Sequence, residues 1–513
     1  MTEYTLTLKP SGTSRSFPRD TILADALMDM GVMVRTPCGG KGTCGKCQVL
    51  LEGPVNDLSG KKSLSAGMHL ACRTSIAGDV AVFIDQQQDT EGRTYPRVEP
   101  TAVYGIAVDI GTTSVKLSLV DCTHSRTYEL DSFLNPQRRW GHDVISRIAA
   151  SADRAVAGRL TAQIRQSVFS SIQRFLDGAG LPVERIDRIV LTGNTTMLYL
   201  FLGLDVDPLG RAPYVAATKD FIPYSAREAG GERFARTTIS ALPVHSAFLG
   251  ADLVGGLASC SKKGLAGSTF FADLGTNGEM FLMDPAGRIF ATSCAMGPAL
   301  EGMNISWGMT AESGAITRIS LEKGHLAYRM IGEGEPAGIT GTALVDILAI
   351  MLRENIIRKD GAFNADLEDM SLPSPMKYRF DGDIPCICLW GDIRVTIKDI
   401  RSVQLAKGAA LAAARLLLKE AGCMPEQVER VMIAGAFGEN LNMENFRVLG
   451  LLPEFPAATW HFLGNSSLQS AQEACCNPRF HQDAAALRDR INELNLSQHE
   501  EFSREFVAAL NFP

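Results

Sequence analysis

Residues 104–121 read YGIAVDIGTTSVKLSLVD, and residues 268–284 repeat their pattern as STFFADLGTNGEMFLMD. Each stretch consists of an apolar strand, the sequence Asp-x-Gly-Thr and a second apolar strand that ends in Asp. Because the glycine turn leads into another strand and not into a helix, each stretch predicts a β-hairpin. One such turn alone would be an ordinary Asx turn. Two copies in matching context indicate a duplicated unit.

A second pair of matching stretches supports the duplication. Residues 185–197 read RIDRIVLTGNTTM, and residues 427–440 read QVERVMIAGAFGEN. Each is a strand that ends in a glycine turn and opens onto a helix. Two halves with the same two patterns predict two similar α/β subdomains that face one another.

The two hairpins predict a phosphate clamp. Because no helix follows the turn, phosphates would be held by backbone N–H groups of each hairpin and by threonine hydroxyls. Asp109 and Asp273 would hold Mg²⁺ through water molecules. Hairpins on opposite subdomains would then enclose a polyphosphate in the cleft between them.

This pattern resembles the acetate kinase, sugar kinase, heat-shock chaperone and actin superfamily over about residues 104–513. The resemblance implies a duplicated actin-like (ribonuclease H-like) ATPase fold that binds ATP. It assigns Gly111, Thr112 and Thr113 to a first phosphate loop, and Gly275, Thr276, Asn277 and Gly278 to a second. It assigns Gly435, Ala436, Phe437 and Gly438 to an adenosine motif. Lys116 either reaches a phosphate or is an ordinary exposed strand lysine.

Other features of this region leave alternatives open. Asp252 lies in an otherwise apolar helical stretch, where it either orients the attacking water as a general base, caps the helix or forms a salt bridge. The glycine turns at 297–302 and 338–341 either line the nucleotide cleft or simply connect elements. Small residues between Ser402 and Ala421 suit close helix packing, and we expect this helix at the domain hinge.

Four of the twelve cysteines lie within the first 72 residues, with the spacing C-x5-C-x2-C-x24-C. They are Cys38, Cys44, Cys47 and Cys72. Because converging thiolates need a cation to favour their deprotonation, the spacing predicts a metal site. The glycines between them let the backbone adopt positive φ and wrap closely around an inorganic core.

The three-plus-one arrangement resembles a plant- or adrenodoxin-type [2Fe–2S] ferredoxin. A zinc ribbon or unligated cysteines are the alternative, but structural zinc sites usually take two C-x-x-C pairs and only one is present. Strand and helix patterns around the loop fit a small β-grasp domain. We therefore divide this α/β multidomain chain into a ferredoxin-like domain (1–85), a linker (86–103), and ATPase subdomains at 104–265 and 266–513, the second with C-terminal helices.

The eight remaining cysteines include two close pairs, Cys386 with Cys388 and Cys475 with Cys476. Either pair would suit a second metal site. Neither has a second pair or a histidine cluster nearby in sequence, so we predict buried thiols.

Composition excludes several classes of partner. The 513 residues carry 50 Lys and Arg against 57 Asp and Glu, a net charge of −7, and scattered basic residues argue against nucleic acid. No apolar run reaches the ~18 residues that a membrane span needs. The N-terminal residues lack the basic stretch and apolar core of a secretory signal, so we expect a cytoplasmic protein with reduced cysteines.

An iron–sulfur domain fused to an ATP clamp suggests uphill electron transfer driven by ATP. Over its whole length the sequence resembles the reductive activators of corrinoid proteins, in stretches that include Asn135–Gln137, Gln404–Gly408 and the terminal FVAALNFP. The resemblance implies one-electron reduction of Co(II) to Co(I) through a [2Fe–2S] cluster. The implied partners are a corrinoid protein of a methyltransferase system and a low-potential electron donor. Some members carry a further domain where this chain has a short linker, which leaves open whether it forms a homodimer.

Two other functions fit the same pattern. One is an ATP-driven electron donor to another low-potential acceptor, such as a 2-hydroxyacyl-CoA dehydratase; two irons per chain would disfavour it. The other is a redox-sensing regulatory module that binds nucleotide without turnover. ATP turnover that a corrinoid partner does not affect, together with an affinity for the partner that depends on the redox state of the cluster, would favour this module.

Overall fold

The computed structural model describes residues 2–30, 32, 34, 40, 42–43, 45, 47–58, 63–83, 95–141, 143–262, 264, 267–435 and 441–513. Three six-stranded sheets contain most of the strands, and two three-stranded sheets contain the rest. In chain order the strands are β1 (Glu3–Lys9), β2 (Ser14–Pro18), β3 (Gln48–Asp57), β4 (Ser63–Leu70), β5 (Thr74–Ile76), β6 (Val80–Phe83), β7 (Tyr104–Ile110), β8 (Ser114–Asp121), β9 (Arg126–Leu134), β10 (Ile186–Gly193), β11 (Tyr224–Ser225), β12 (Thr238–Ala241), β13 (Thr269–Leu274), β14 (Asn277–Met283), β15 (Ile289–Ala295), β16 (Ala315–Glu322), β17 (His325–Met330), β18 (Gly338–Ile339), β19 (Lys377–Asp381), β20 (Ile384–Cys388), β21 (Arg394–Thr396), β22 (Arg430–Gly435), β23 (Thr459–Gly464) and β24 (Ile491–Glu493).

Helices cover the faces of these sheets. They are α1 (Leu23–Asp29), α2 (Val144–Ser151), α3 (Arg154–Ala179), α4 (Thr195–Leu202), α5 (Asp207–Gly210), α6 (Ala251–Lys262), α7 (Gly341–Arg353), α8 (Ile397–Ala421), α9 (Met443–Leu449), α10 (Ser466–Cys476), α11 (Phe480–Arg488) and α12 (Phe502–Ala508). Within the described parts of the chain, no helix combines the length and apolar character that crossing a bilayer requires.

The first sheet has the order β2-β1-β6-β3-β4, with β5 paired to β3. β1 and β6 are parallel, whereas the other neighbours are antiparallel. Leu6 of β1, Leu51 of β3 and Val82 of β6 are fully buried together with Leu23 and Leu27 of α1. A mixed sheet that shares its core with one helix is the predicted β-grasp arrangement.

Five strands of the second sheet and five strands of the third have the same topology, and the sixth strand differs. In the second, β7, β8 and β9 are antiparallel neighbours, β10 joins β7 in parallel and β12 joins β10 in parallel. In the third, β13, β14 and β15 with β22 and β23 repeat this order and these directions. The predicted hairpins are present, with Asp109 opposite Lys116 and Asp273 opposite Glu279. The predicted duplication is therefore confirmed.

Helices α6 and α10 lie where these two sheets meet. Although α10 follows β23 of the third sheet, it packs against β7, β8 and β10 of the second, and α6 contacts α10, β10 and β14. The two helices approach closely at Gly255, where an added Cβ would lie 2.3 Å from Ser470 Oγ. A larger side chain at position 255 would therefore push the helices apart.

Helix α8 does not occupy the hinge, so that expectation was wrong. It begins at a capping box in which Asp399 N donates to Thr396 Oγ1 (3.2 Å) and Thr396 N donates to Asp399 Oδ2 (2.8 Å), and it ends at Gly422 with a φ of +63°. The helix packs against β14 and β15 on one side and α12 on another. The helix is buried on more than one side, and its alanines let both the third sheet and α12 approach closely.

Lys407 of α8 holds the last residues of the chain. Its Nζ donates to Ala509 O (2.7 Å) and Asn511 O (2.6 Å), and Gln404 Nε2 donates to Leu510 O (3.2 Å). The Lys407 side chain is only 1% exposed. Two stretches far apart in sequence, QLAKGA and FVAALNFP, thus meet in one hydrogen-bonded contact.

We predict that Lys407→Met lowers the free energy of unfolding by about 1–3 kcal/mol, because the buried carbonyl group of Ala509 and the partly buried one of Asn511 lose their donor. Urea unfolding followed by circular dichroism measures this change. Lys398→Met, at an exposed position on the same helix, is the control and should change stability by less than about 0.5 kcal/mol. Equal stability of the two variants would contradict the prediction.

Candidate functional site

The first predicted phosphate loop, Gly111–Thr113, is held by side chains from three directions. Asn135 Nδ2 donates to Gly111 O (2.8 Å), Arg147 Nη2 donates to Thr112 O (2.5 Å), and Asn194 Nδ2 donates to Thr112 Oγ1 (2.8 Å). Arg147 is fully buried, and this burial lowers its pKa to about 9. These contacts fix the shape of the loop before any ligand binds.

The second predicted loop, Gly275–Gly278, touches the first. Thr113 Oγ1 and Thr276 Oγ1 lie 2.7 Å apart, and Thr276 Oγ1 donates to Glu301 Oε1 (2.9 Å). The structure therefore brings the two hairpin turns together across the cleft, as the clamp hypothesis requires. Glu301 belongs to the glycine turn at 297–302, so this turn lines the cleft.

Gly435, the first residue of the predicted adenosine motif, lies beside the second hairpin. Its φ is +102°, and an added Cβ would lie 2.7 Å from Asp273 Oδ1. A side chain at this position would clash with that carboxylate, so only glycine suits it. Ala436, Phe437 and Gly438 lie outside the described residues.

Five carboxyl groups converge on this cleft: Asp109, Asp252, Asp273, Glu279 and Glu301. Removal from water, together with the negative charge of nearby Asp109, raises the pKa of Asp252 to about 7. Removal from water also raises the pKa of Asp273 to about 7, with added repulsion from Asp252 and Asp109. Among the described residues, no three His, Cys, Asp or Glu side chains are grouped to bind a metal ion directly.

Lys116 lies among these carboxyl groups. It is partly buried and lies opposite Asp109 in the hairpin. Burial raises the pKa values of Asp109 and Glu301, and the positive charge of Lys116 partly opposes this rise. This location in the cleft fits a phosphate-facing lysine better than an exposed strand lysine.

Asp252 lies in the first turn of α6, and its Oδ1 accepts a hydrogen bond from Leu253 N (2.9 Å). The hydrogen bond to Leu253 N agrees with the alternative that Asp252 caps the helix. The same carboxyl group also belongs to the acidic cluster of the cleft. Its role as a general base stays a prediction.

Three residues at the beginning of α10, which no pattern above identified, also contact the cleft. Asn465 Nδ2 donates to Asp109 Oδ2 (2.7 Å), Ser467 Oγ donates to Asp109 Oδ1 (3.0 Å), and Ser466 Oγ donates to Asp273 Oδ2 (3.4 Å). A repeat in the sequence could have revealed them, because FLGNSS at 462–467 has the same form as LTGNTT at 191–196. These donors connect both predicted Mg²⁺ ligands to one helix.

The cysteine loop is described in part. Cys47 and Cys72 are buried, with their Sγ atoms 3.2 Å apart. Gly40, Gly42 and Gly45 all have positive φ, as the close wrapping of the loop requires. Cys47 at the end of the glycine-rich loop and Cys72 in the short helix after β4 converge, which fits an iron–sulfur cluster. Cys38 and Cys44 lie outside the described residues.

Asp29, the last residue of α1, joins the first sheet to the region of the second. Arg139 Nη1 lies 2.5 Å from Asp29 Oδ2, and Gln163 Nε2 of α3 donates to Asp29 Oδ1. The segment that carries Arg139 starts at Asn135, whose backbone N donates to Thr113 O (2.9 Å). A short stretch of chain thus connects the first phosphate loop with the ferredoxin-like domain.

The remaining cysteines do not all match the prediction of buried thiols. Cys260, Cys294, Cys386 and Cys475 are buried, and Cys122, Cys388 and Cys423 are partly buried. Cys476 is exposed, so the prediction was wrong for this residue. It is the last residue of α10, which directs the neighbouring Cys475 inward and Cys476 outward.

Three family models match consecutive parts of the chain. The "2Fe-2S iron-sulfur cluster binding domain" matches residues 6–77, the "RACo middle region" residues 104–263, and the "C-terminal domain of RACo the ASKHA domain" residues 267–513. These matches confirm the predicted ferredoxin-type domain and the predicted actin-like nucleotide-binding fold.

Named relatives span most of the chain. It is 34% identical over 386 residues to "Corrinoid activation enzyme RamQ" of Eubacterium limosum, covering 72% of this chain and 64% of the relative. It is 26% identical over 445 residues to "[Co(II) methylated amine-specific corrinoid protein] reductase" of Methanosarcina barkeri, covering 80% and 77%. A solved structure, "Reductive activator for corrinoid,iron-sulfur protein", matches with a TM-score of 0.75 and 26% identity, covering 100% of this chain and 98% of that chain.

The acidic cluster predicts a pH-dependent stability. Because the folded-state pKa of Asp252 is about 7 against an ordinary value of 3.8, the folded protein binds more protons than the unfolded chain between about pH 4 and pH 7. Stability without Mg²⁺ should therefore fall as the pH rises through this range. Asp252→Asn should flatten the fall and stabilise the protein by about 1–4 kcal/mol at pH 8.

Urea unfolding at pH 5 and pH 8 in Mg²⁺-free buffer tests this prediction. Asp366→Asn, at an exposed position, is the control and should keep the pH dependence of the wild type. A wild-type protein that is more stable at pH 8 than at pH 5, or an Asp252→Asn variant with an unchanged slope, would count against it.

Proposed function

We propose that this chain, which belongs to the RACo family, couples ATP hydrolysis to the one-electron reduction of Co(II) to Co(I) in a corrinoid protein. The names of the relatives in Eubacterium limosum and Methanosarcina barkeri support a corrinoid partner. A low-potential electron donor would supply the electron. We place the activity in the cytoplasm, and the division of the chain at residues 85, 103 and 265 belongs to the same proposal.

One observation carries the proposal. The segment that begins at Asn135 both anchors the first phosphate loop and contacts Asp29 of the ferredoxin-like domain through Arg139. A change in the loop on nucleotide binding would therefore move the residues that dock this domain. The coupling of nucleotide state to electron delivery needs such a connection.

Each group in the cleft has a role in this proposal. Gly111–Thr113 and Gly275–Gly278 would bind phosphates through backbone N–H groups and hydroxyls, with Lys116 beside them. Asp109 and Asp273 would hold Mg²⁺ through water molecules. Asp252 would orient the attacking water, and its pKa of about 7 suits a general base.

The proposed site also includes a position for the nucleoside. Gly435–Gly438 would form the adenosine motif that the resemblance to the actin superfamily implies, and Gly435 ends β22, which pairs with β13. The close approach of Gly435 to Asp273 supports this role, because phosphate and nucleoside sites would then adjoin each other.

The electron would pass through the N-terminal domain. A bound [2Fe–2S] cluster carries one electron at a time. Cys38, Cys44, Cys47 and Cys72 would hold it, and the glycines of the loop would leave backbone N–H groups available to the sulfur atoms. Burial of Cys47 and Cys72 keeps these ligands away from solvent.

Anaerobic reduction of a corrinoid protein tests the proposed function. With a Co(II) corrinoid protein and a low-potential reductant, we expect the Co(I) absorption band to appear only when ATP and Mg²⁺ are both present. Asp109→Asn should lower this rate at least about tenfold, because the phosphates lose their Mg²⁺ anchor. Co(I) formation at the same rate without ATP, or none with several corrinoid proteins, would contradict the proposal.

The contact at Asp29 gives a second prediction. Arg139→Ala should leave ATP hydrolysis within about twofold of wild type but lower Co(I) formation at least about fivefold, since it removes the contact that links Asp29 to the segment of the phosphate loop and leaves the loop itself intact. Both rates are measured in one reaction, by phosphate release and by the Co(I) band. Arg154→Ala, at an exposed position on α3, is the control and should change neither rate.

Equal losses of both activities in Arg139→Ala would contradict this coupling. They would show that Arg139 supports the nucleotide site and does not transmit its state.

A further inference from the structure

We propose that Cys122 and Cys476 form a reversible disulfide bond, a redox-modification site that fastens the outer end of α10 to the second sheet. Cys122 directly follows β8, and Cys476 is the last residue of α10. The two lie 354 positions apart in the sequence, in different halves of the duplicated fold.

The geometry selects this pair. The Sγ atoms of Cys122 and Cys476 lie 2.7 Å apart, whereas a bonded pair is about 2.05 Å apart. Bond formation therefore needs a movement of well under an ångström. Cys475 is adjacent in sequence but points inward, where its Sγ would lie 2.8 Å from a Cβ added at Gly105. Because Cys475 is buried and Cys476 is exposed, Cys476 is the residue of the two that a dissolved oxidant can reach.

The accessibility of the two thiols sets the order of the chemistry. Burial raises the pKa of Cys122 to about 12, which makes this residue slow to attack an external oxidant, whereas Cys476 is exposed. Cys476 would therefore attack the oxidant, a small-molecule disulfide such as oxidised glutathione. The attack forms a Cys476–glutathione mixed disulfide and releases one glutathione.

Cys122 would complete the exchange. Its sulfur attacks the Cys476 sulfur, which forms the protein disulfide and breaks the bond to the second glutathione; that glutathione leaves with the proton of the Cys122 thiol. Two protein thiols lose two electrons and two protons in total, and the oxidised glutathione gains both. An excess of thiol reverses both steps.

The bond would act on the cleft through α10. The beginning of this helix contacts Asp109 and Asp273 through Asn465, Ser466 and Ser467, and its end carries Cys476. Since the eleven residues form one continuous helix, fixing its end to β8 restrains its beginning as well. The disulfide bond would therefore slow the opening and closing of the cleft. This consequence rests on the proposed ATP hydrolysis, whereas the formation of the bond does not depend on that proposal.

Peptide mapping tests the site. The anaerobic full-length protein with its cluster is treated with oxidised glutathione, digested without reduction and analysed by mass spectrometry. We expect a cross-link between the peptide of Cys122 and the peptide of Cys475–Cys476 in most molecules, removed by dithiothreitol. Cys475→Ser and Cys388→Ser should retain the cross-link, whereas Cys122→Ser and Cys476→Ser should lose it.

Several outcomes would overturn the assignment. They are a glutathione adduct that persists on Cys476 without an internal bond, a cross-link that survives in Cys476→Ser, or no oxidation of either residue.

Turnover of ATP tests the consequence for the cleft. Oxidation should slow hydrolysis at least about threefold in the wild type, and dithiothreitol should restore it. Cys476→Ser under the same treatment should keep its rate, so that a loss shared by both proteins would point to cluster damage and count against the proposal. Unchanged hydrolysis in cross-linked protein would also overturn it. If the reduced protein hydrolyses no ATP, the proposed function fails, and the peptide map still decides whether the bond forms.

Discussion

Mutual repulsion among Asp109, Asp252 and Asp273, together with their loss of hydration, is the constraint on which the rest of the cleft depends. Two copies of one hairpin carry Asp109 and Asp273 to the same place, and α6 adds Asp252. Charges buried in this way are costly unless other groups compensate them. The compensation present is partial: hydroxyl and amide donors at the beginning of α10 and the ammonium group of Lys116. In the proposed function, a hydrated Mg²⁺ supplies the rest, and it brings the phosphates with it.

In the proposed function, nucleotide binding in this cleft could drive an electron uphill. For one electron, a gap of about 150 mV corresponds to ~3.5 kcal/mol at 59 mV per factor of ten. A nucleotide that binds one arrangement of the protein more tightly than another supplies energy of this size. The first phosphate loop, Asn135, Arg139 and Asp29 form a continuous series of contacts along which such a difference could reach the iron–sulfur domain. Neither half of the chain would suffice without this series.

The sequence predicted what is encoded locally. Alternating and apolar runs on both sides of Asp-x-Gly-Thr defined the two hairpins, and the repeat of the pattern defined the duplicated fold. The spacing of the four cysteines and the glycines between them similarly indicated the ferredoxin-type domain. Each of these features depends on residues that are neighbours in the chain.

Features that depend on long-range packing could not be predicted in this way. The small residues of α8 suggested a hinge helix, but only the positions of the third sheet and α12 show why alanine is needed there. Asn465 and Ser467 reach Asp109 from more than 350 positions away, and the exposure of Cys476 depends on how α10 meets β8. Alternation and periodicity identify strands and helices but not the partners of their ends.

Proton release on nucleotide binding tests the central claim most directly. Isothermal titration of the protein with a non-hydrolysable ATP analogue and Mg²⁺ at pH 7, repeated in buffers of different ionisation enthalpy, gives the number of protons released. The carboxyl groups of Asp252 and Asp273, with pKa values of about 7, are each half protonated at this pH. Mg²⁺ binding to the wild type should therefore release about one proton, and binding to the Asp252→Asn variant about half as many. Binding that releases no protons, or that is equally tight without Mg²⁺, would contradict the account.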